Sequence, residues 1–532
     1  MAPAPTPPQN PLPALAVLTP AVAAFAIPLA HALKAGRRGV EALALTASAS
    51  TAFLAVALLL KALRSPYPIT YEFGGWPPPV GIFYEVDALG AALGALTACV
   101  MLLVTLYSTG YGGLGGGGRL HLYYTLLMVV EAGMLGCFYT GDFFNLFVML
   151  EVTSIASYAL VSFRRWDRVA VEASLKYAIF GALATTAYFA AAIFAYGSLG
   201  TLNMADMHLK ILGEAAPASG RAFGAVGAGV ALFTALALYA FTFKSALFPN
   251  HFWLPDAHSS APTPVSALLS ALVVNVGVYA IGRFAYTVFG HASPHMAAVL
   301  SYALLACGAA SAVVGGVLMN VQTDVKKLVA YSTVMNLGYA ALGYGLSTSL
   351  GAAAATYHLI THAAAKALLF MGVGGLIAAA GSRRVADLAG LGRREPFLGF
   401  AVGLALLTMA GVPPLSMFMS EYALMTAMIR AGNYLALAAF LAAYAAGAAA
   451  YLRLFYVVCV KPPARRGGCG GRRPLGGGAY AALALLAVAA VALGVGGPWV
   501  FSHVALPAGR ALMDSHAYVK AFLNAASALG GG

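Results

Sequence analysis

An all-α polytopic membrane protein of about fourteen spanning helices is the fold this sequence predicts, and three observations predict it. Hydrophobic residues fill 61% of its 532 positions and charged residues 9%, at a mean hydropathy of +0.83, whereas soluble domains carry about 25% charge. The apolar residues gather into fourteen segments, each long enough to cross a hydrocarbon core of about 30 Å. Lysine and arginine concentrate in alternate connections between those segments.

The opening MAPAPTPPQNP lacks the basic stretch of a cleaved signal, so 12 to 33 reads as the first span. With 40 to 62 and 86 to 108 it forms an N-terminal unit over residues 1–119. Segments 120 to 139, 142 to 163, 172 to 196, 222 to 248 and 264 to 288 make a second unit, 120–288. A third, 297–459, holds 297 to 319, 328 to 346, 352 to 379, 397 to 428 and 434 to 459. Residues 460–532 supply a basic loop, the last span at 479 to 501, and a tail. The glycine-rich patches at 112 to 118 and 467 to 478 read as loops.

Two segments are interrupted: the seventh by Pro249 and Pro255, the twelfth by GVPPLSMFMSEY with Pro413 and Pro414. They lie five helices apart, so helices 4 to 8 and 9 to 13 read as two five-helix repeats, each broken at its fourth helix. An odd-numbered unit repeated in tandem is inverted in the membrane. Broken helices at corresponding places in inverted repeats point to a transporter's ion sites; two unrelated proline kinks are the plainer alternative.

A net charge of +13 suits nucleic acid in a soluble chain, but in a membrane chain the distribution decides. Odd-numbered loops hold 19 lysines and arginines, among them Arg164, Lys326, Lys327, Arg383 and the Arg465 to Arg473 cluster. Even-numbered loops and the tail hold 8, including Lys210 and Arg283. The asymmetry puts both termini outside, and the plasma membrane of a prokaryote is the expected location. Cys99, Cys137, Cys307, Cys459 and Cys469 show no C-x-x-C spacing, so neither a disulfide framework nor a metal site is indicated, and no cofactor is expected.

Glu131, Glu151, Lys176, Lys244, His358, His362, Lys366 and Glu421 remain inside the apolar segments. A lysine at mid-membrane costs roughly 2.5 to 3.5 kcal/mol on insertion scales and by default marks function. Glu151 and Lys244 read as a pair: a contact at about 4 Å and an effective dielectric of about 20 is worth roughly 4 kcal/mol, enough to hold or release a proton. A salt bridge that merely joins two helices is the competing reading. His358, His362 and Lys366 recur every four residues and make a polar stripe about 12 Å long on one helix face. That stripe reads as a proton relay, with structural hydrogen bonding or metal or haem ligation as alternatives. Glu421 suits a terminal group that hands protons outward, with a surface carboxylate near a helix end as the alternative. Lys176 snorkels to an interface, Glu131 has no evident partner, and Asp87 and Asp142 read as helix caps.

The chain resembles the antiporter-like subunits shared by respiratory complex I, membrane-bound hydrogenases and multisubunit Mrp-type sodium/proton antiporters. The likeness runs from about Asp142 to Glu421 on DFFNLFVMLEVTSIASYAL, LKYAIFGAL, YGSLGTLNMAD, FKSALFPNHFWLPDAHSSAPTPVSALL, VQTDVKKLVAYST, HLITHAAAKALLF and AGVPPLS. The first and third of these look most like the Mrp D-type subunit. The resemblance implies a fourteen-helix bundle with inverted repeats. It makes Glu151 the essential fifth-helix glutamate and Lys244 the seventh-helix lysine that it modulates. His358, His362 and Lys366 then match the central relay, and Glu421 the terminal proton group. In the eighth helix, where relatives usually have histidine or lysine, this chain has Ser270 and Asn275, so either the link runs through water anchored there or the subunit conducts poorly; the retained flanking groups favour water.

The leading functional expectation is an ion-translocating subunit of a larger complex, moving protons and, as a second candidate ion, sodium. Its partners are then other membrane subunits and the lipid bilayer, not nucleic acid. A non-conducting structural subunit, or a redox subunit holding quinone, flavin or haem, are the alternatives.

Overall fold

The computed structural model describes residues 10–114, 119–216, 219–462 and 475–527. Among these residues, twelve helices are long and apolar enough to cross a membrane, and the chain is a multi-pass membrane protein. Two further expected segments are the Val325–Gly345 helix and the interrupted pair Pro396–Met409 and Ser416–Arg430. Phe25, Phe53, Ile155, Ile179 and Leu435 stand exposed on the outside, as a lipid-facing coat requires. Arg465, Arg466, Arg472, Arg473 and Cys469, with most of the second glycine-rich patch, lie outside the described residues.

One helix sits at the centre. Ser349–Ala380 starts where the Thr348 hydroxyl accepts the Gly351 amide at 3.0 Å and stops at Gly381, whose φ of 67° ends the helical hydrogen bonding. Its alanine-rich sequence favours a helix, and every residue from 351 to 376 is buried. A helix enclosed all round has no amphipathic face, so its polar residues face other helices. Thr263–Phe289 is likewise wholly buried and packs against it. A Cβ on Gly374 would collide with the Thr263 side chain, so the close crossing of these two helices requires glycine there.

Both breaks fall where the prolines predict. The Val226–Lys244 helix stops, and a short Trp253–Ser260 helix restarts after an irregular stretch. The groups freed by the break find protein partners: Trp253 Nε1 donates to the Phe243 carbonyl at 3.1 Å, and the Phe248 amide donates to Ser311 Oγ at 2.7 Å. Without such partners an irregular backbone at membrane depth is prohibitively costly.

Pro294–Val321 and Val325–Gly345 pack backbone against backbone at glycines. A Cβ on Gly338 would stand 2.5 Å from the Ala312 nitrogen and 2.6 Å from the Gly308 oxygen. Gly338→Ala is therefore expected to cost about 1 to 3 kcal/mol through overpacking. The check is the thermal unfolding midpoint of the purified complex in detergent, and an unchanged midpoint would show that the crossing has slack.

Windows of spanning length do not anticipate the remaining elements. A hairpin pairs Ile69–Glu72 antiparallel with Phe83–Val86, Ile69 opposite Val86. The helices Leu506–Met513 and Ser515–Ala526 close over this end of the bundle. Beneath them Arg283, expected in a loop, is buried and holds Asp87 through both its terminal nitrogens at 2.7 and 2.8 Å. Asp87 also caps its helix by accepting the Gly90 amide at 2.8 Å, as expected. Lys210, another expected loop charge, is buried 3.6 Å from Asp206.

Candidate ion relay

Lys244 is the last residue of its helix and is buried. Its Nζ donates to Ser154 Oγ at 2.6 Å and to the Tyr158 hydroxyl at 3.4 Å. Both acceptors stand on Phe143–Val161, on the face that Glu151 begins, three and seven residues before them. The expected contact with Glu151 is thus displaced by one helical turn. The carboxylate still acts on Lys244 through space, but its Oε1 has no hydrogen-bond partner. Two hydroxyls, rather than an anion, hold the lysine.

On the central helix, His358 and His362 lie with ring centroids 6.1 Å apart and planes tilted by 15°. Both nitrogens of His362 are unpartnered, whereas His358 Nδ1 lies 3.1 Å from Ser420 Oγ. Ser420 is the neighbour of Glu421, so the stripe reaches the second broken segment directly. Glu421 is buried rather than at the surface, and its Oε2 has no partner. It approaches Gly411, where a Cβ would collide with that oxygen and where φ is 68°; the break therefore needs glycine twice over. At the other end of the stripe, Lys366 Nζ donates to Ser332 Oγ and, at 3.4 Å, to the Val329 carbonyl.

The Thr263–Phe289 helix lies between the two lysines. Its Gly277 abuts Ser245, next to Lys244, and its Ser270 Oγ meets Thr333 Oγ1 at 2.6 Å, next to Ser332. Of the two expected link residues, Ser270 thus stands at the Lys366 end. Asn275 instead donates back to the Ala271 carbonyl of its own helix at 2.8 Å, leaving its Oδ1 unpartnered.

Two groups were missed by the sequence reading. Lys326, counted there as a loop charge, is buried and donates to the Ala261 carbonyl at 2.7 Å and to Ser266 Oγ at 3.4 Å. His258, in the short helix after the first break, is fully buried with both ring nitrogens unpartnered. Neither was legible, because the second lysine of VKKLVAYST does stay half-exposed, paired with Asp256 at 2.9 Å, and no pattern distinguishes it from the first. Ser154 and Tyr158 could have been found from their helical spacing to Glu151.

The other candidates stay apart from this row. Lys176 is exposed and pairs with Glu172 at 2.8 Å, as a snorkelling residue should. Glu131 is buried among the N-terminal helices, where its Oε2 accepts from Ser48 at 3.2 Å. Asp142 caps its helix through the Asn145 amide at 2.7 Å.

A multi-pass bundle whose interior holds buried amines, imidazoles and a carboxyl belongs to the class of ion-translocating membrane proteins. Residues 140–445 match the family described as NADH:quinone oxidoreductase/Mrp antiporter, transmembrane, and the chain belongs to that family. It is 34% identical over 428 residues to the N-type subunit of the NADH-quinone oxidoreductase of Desulforudis audaxviator, a match that covers 80% of this chain and 81% of that one. To the D-type subunit of the Na(+)/H(+) antiporter of Bacillus subtilis it is 32% identical over 378 residues, or 71% of this chain and 73% of the other. A chain of the membrane-bound sulfane sulfur reductase, an archaeal respiratory membrane complex, superposes with a TM-score of 0.86 at 28% identity, covering 96% of this chain and all of that one.

Proposed function

We propose that this chain is an ion-translocating subunit of a larger membrane complex and that protons are the ions it moves, with Glu151, Lys244, Lys366, His362, His358 and Glu421 as the groups that carry them. One contrast supports the reading. Arg283, buried at the hairpin end, is locked to Asp87 by a bidentate ion pair. Among the described residues, Lys244, Lys366 and Glu421 are buried just as deeply without a counter-ion within 4 Å. An uncompensated buried charge is costly, and groups that must gain and lose a proton are where that cost serves a purpose.

In this reading Glu151 and Lys244 form the switch. Bringing the carboxylate against the amine holds a proton on Lys244, and the separated arrangement, with Lys244 on Ser154 and Tyr158, favours its release. Units 120–288 and 297–459 act as inverted repeats, each placing a titratable group beside its broken helix: Lys244 in one, Glu421 in the other. Other membrane subunits are its partners, as the names of its relatives suggest. The placement of both termini outside follows from the lysine and arginine asymmetry, and the bacterial sources of its relatives support the plasma membrane of a prokaryote. Of the three expected loop cations that prove buried, two belong to the smaller set, so the asymmetry survives.

The test is proton uptake by proteoliposomes containing the assembled complex. Lys244→Ala is expected to lower it by at least about tenfold, the scale of a lost proton-transfer group, and Glu151→Gln by a smaller factor because that carboxylate acts across a turn. Parental uptake in both variants would sink the proposal.

A further inference from the structure

The Gly36–Ala62, Ala88–Thr109 and Leu120–Tyr139 helices meet at three polar side chains that the relay does not use. Ser48, Thr105 and Glu131, one from each helix, are fully buried. Ser48 Oγ lies 3.2 Å from Glu131 Oε2 and 3.3 Å from Thr105 Oγ1, and Met128 Sδ closes one side at 3.9 Å. Glu131 Oε1 has no hydrogen-bond partner. Hydroxyls in helices can donate to the carbonyl four residues back, and Thr51 and Ser108, close by on the first two of these helices, do so at 2.9 and 2.7 Å. Ser48 and Thr105 turn towards the carboxyl instead.

We propose that Ser48, Thr105 and Glu131 form a second ion site, separate from the relay, at which a sodium ion and a proton compete for one carboxylate. With the proton bound, Glu131 is a neutral acid that accepts from Ser48, the arrangement seen here. When sodium enters, the carboxyl proton leaves to water and the ion takes its place on the carboxylate oxygens. Both hydroxyls then swing their hydrogens to the carbonyls four residues back and turn lone pairs to the ion. One cation replaces another, so the charge of the site does not change.

The surroundings fit this exchange. Among the described residues, no basic group lies within 4 Å of Glu131, and the titratable neighbour that feels its charge is the Cys99 thiol. An ionised carboxylate at this place therefore needs a bound cation. Two carboxylate and two hydroxyl oxygens make a donor set suited to a hard cation, whereas the lysines and histidines of the relay are poor ligands for one. One carboxylate balances one charge, so a divalent ion would leave the buried site positive. Two oxygens held at right angles about 2.4 Å from an ion stand about 3.4 Å apart, close to the spacing of Ser48 Oγ from both its oxygen neighbours. The approach is from the basic face. Tyr124, whose buried hydroxyl has no partner, stands two turns before Glu131 on the same helix face. Glu41, paired with Arg37 at 2.8 Å, stands two turns before Ser48, and its charge reaches Tyr124.

Infrared difference spectra of the assembled complex, recorded as sodium chloride replaces choline chloride at constant pH and ionic strength, read the exchange directly. The parent is expected to lose the carbonyl stretch of a protonated carboxyl and to gain the stretches of a carboxylate, and Glu131→Gln is expected to lack that pair of changes. Ser48→Ala and Thr105→Val keep the carboxyl but remove one hydroxyl ligand each. Either is expected to raise the sodium concentration at half effect by at least about tenfold. Lys244→Ala, which disables the relay, is expected to leave the pair of changes intact. Spectra that are the same in the parent and in Glu131→Gln overturn the site, as do unchanged half-effect concentrations in both hydroxyl variants. Loss of the changes in Lys244→Ala overturns the separation from the relay.

Discussion

Methionine in place of Lys366 is expected to stop coupled proton movement and to leave the assembled complex at least as stable as the parent. The amine is fully buried and its only hydrogen-bond partners among the described residues are the Ser332 hydroxyl and the Val329 carbonyl. Neither is an anion, so nothing offsets the desolvation of an ammonium group. Methionine has a similar length and flexibility and needs no partner. Its introduction leaves no orphan, because Ser332 Oγ already donates to the Val329 carbonyl at 2.8 Å. Stability is expected to rise by about 1 kcal/mol or more, as when buried charges give way to apolar groups, while proton uptake falls by roughly a hundredfold. Thermal unfolding of the complex and uptake by proteoliposomes read the two effects separately. A lower unfolding midpoint would mean that the amine is a structural tie; parental uptake would remove Lys366 from the path.

Arg283→Met should do the reverse. It strands Asp87 in a buried site, with Glu85 close by and the Tyr279 and Tyr518 rings stacked on a guanidinium that is no longer there. Breaking one side of a buried pair costs about 3 to 5 kcal/mol. Adding Asp87→Asn is expected to recover much of that loss, since asparagine can still cap the helix at Gly90. The midpoints of the two single variants and the double variant form a cycle. Costs that simply add would show that the two residues do not act as a unit.

The bundle was legible because hydropathy and proline placement are local properties of the chain: every expected span begins or ends within a few residues of a helix, and both interruptions fall at their prolines. The spacing of His358, His362 and Lys366 gave their common face in the same way. Contacts between distant segments were not legible. Glu151 and Lys244 were paired on charge alone, whereas Ser154 and Tyr158, ordinary residues in sequence, take the amine. Lys326, Arg283 and Lys210 looked like loop charges because they sit near segment ends. The hairpin and the C-terminal helices bury Arg283, and both are built from pieces too short for a spanning-length window. Nothing in the sequence singles out His258, and only the re-entry of the chain after the first break places it in the interior.

The stripe on the central helix has an electrical consequence. From His358 to Lys366 the helix rises about 12 Å, a good fraction of a hydrocarbon core about 30 Å thick. Moving one elementary charge across the whole core is worth about 2.3 kcal/mol per 100 mV of membrane potential. A proton travelling the length of the stripe therefore works against, or is driven by, roughly 1 kcal/mol per 100 mV. In the proposed relay this helix is for that reason also where the membrane voltage acts, and the balance of protons between Lys366 and Glu421 is expected to shift with the energisation of the membrane even if no residue moves.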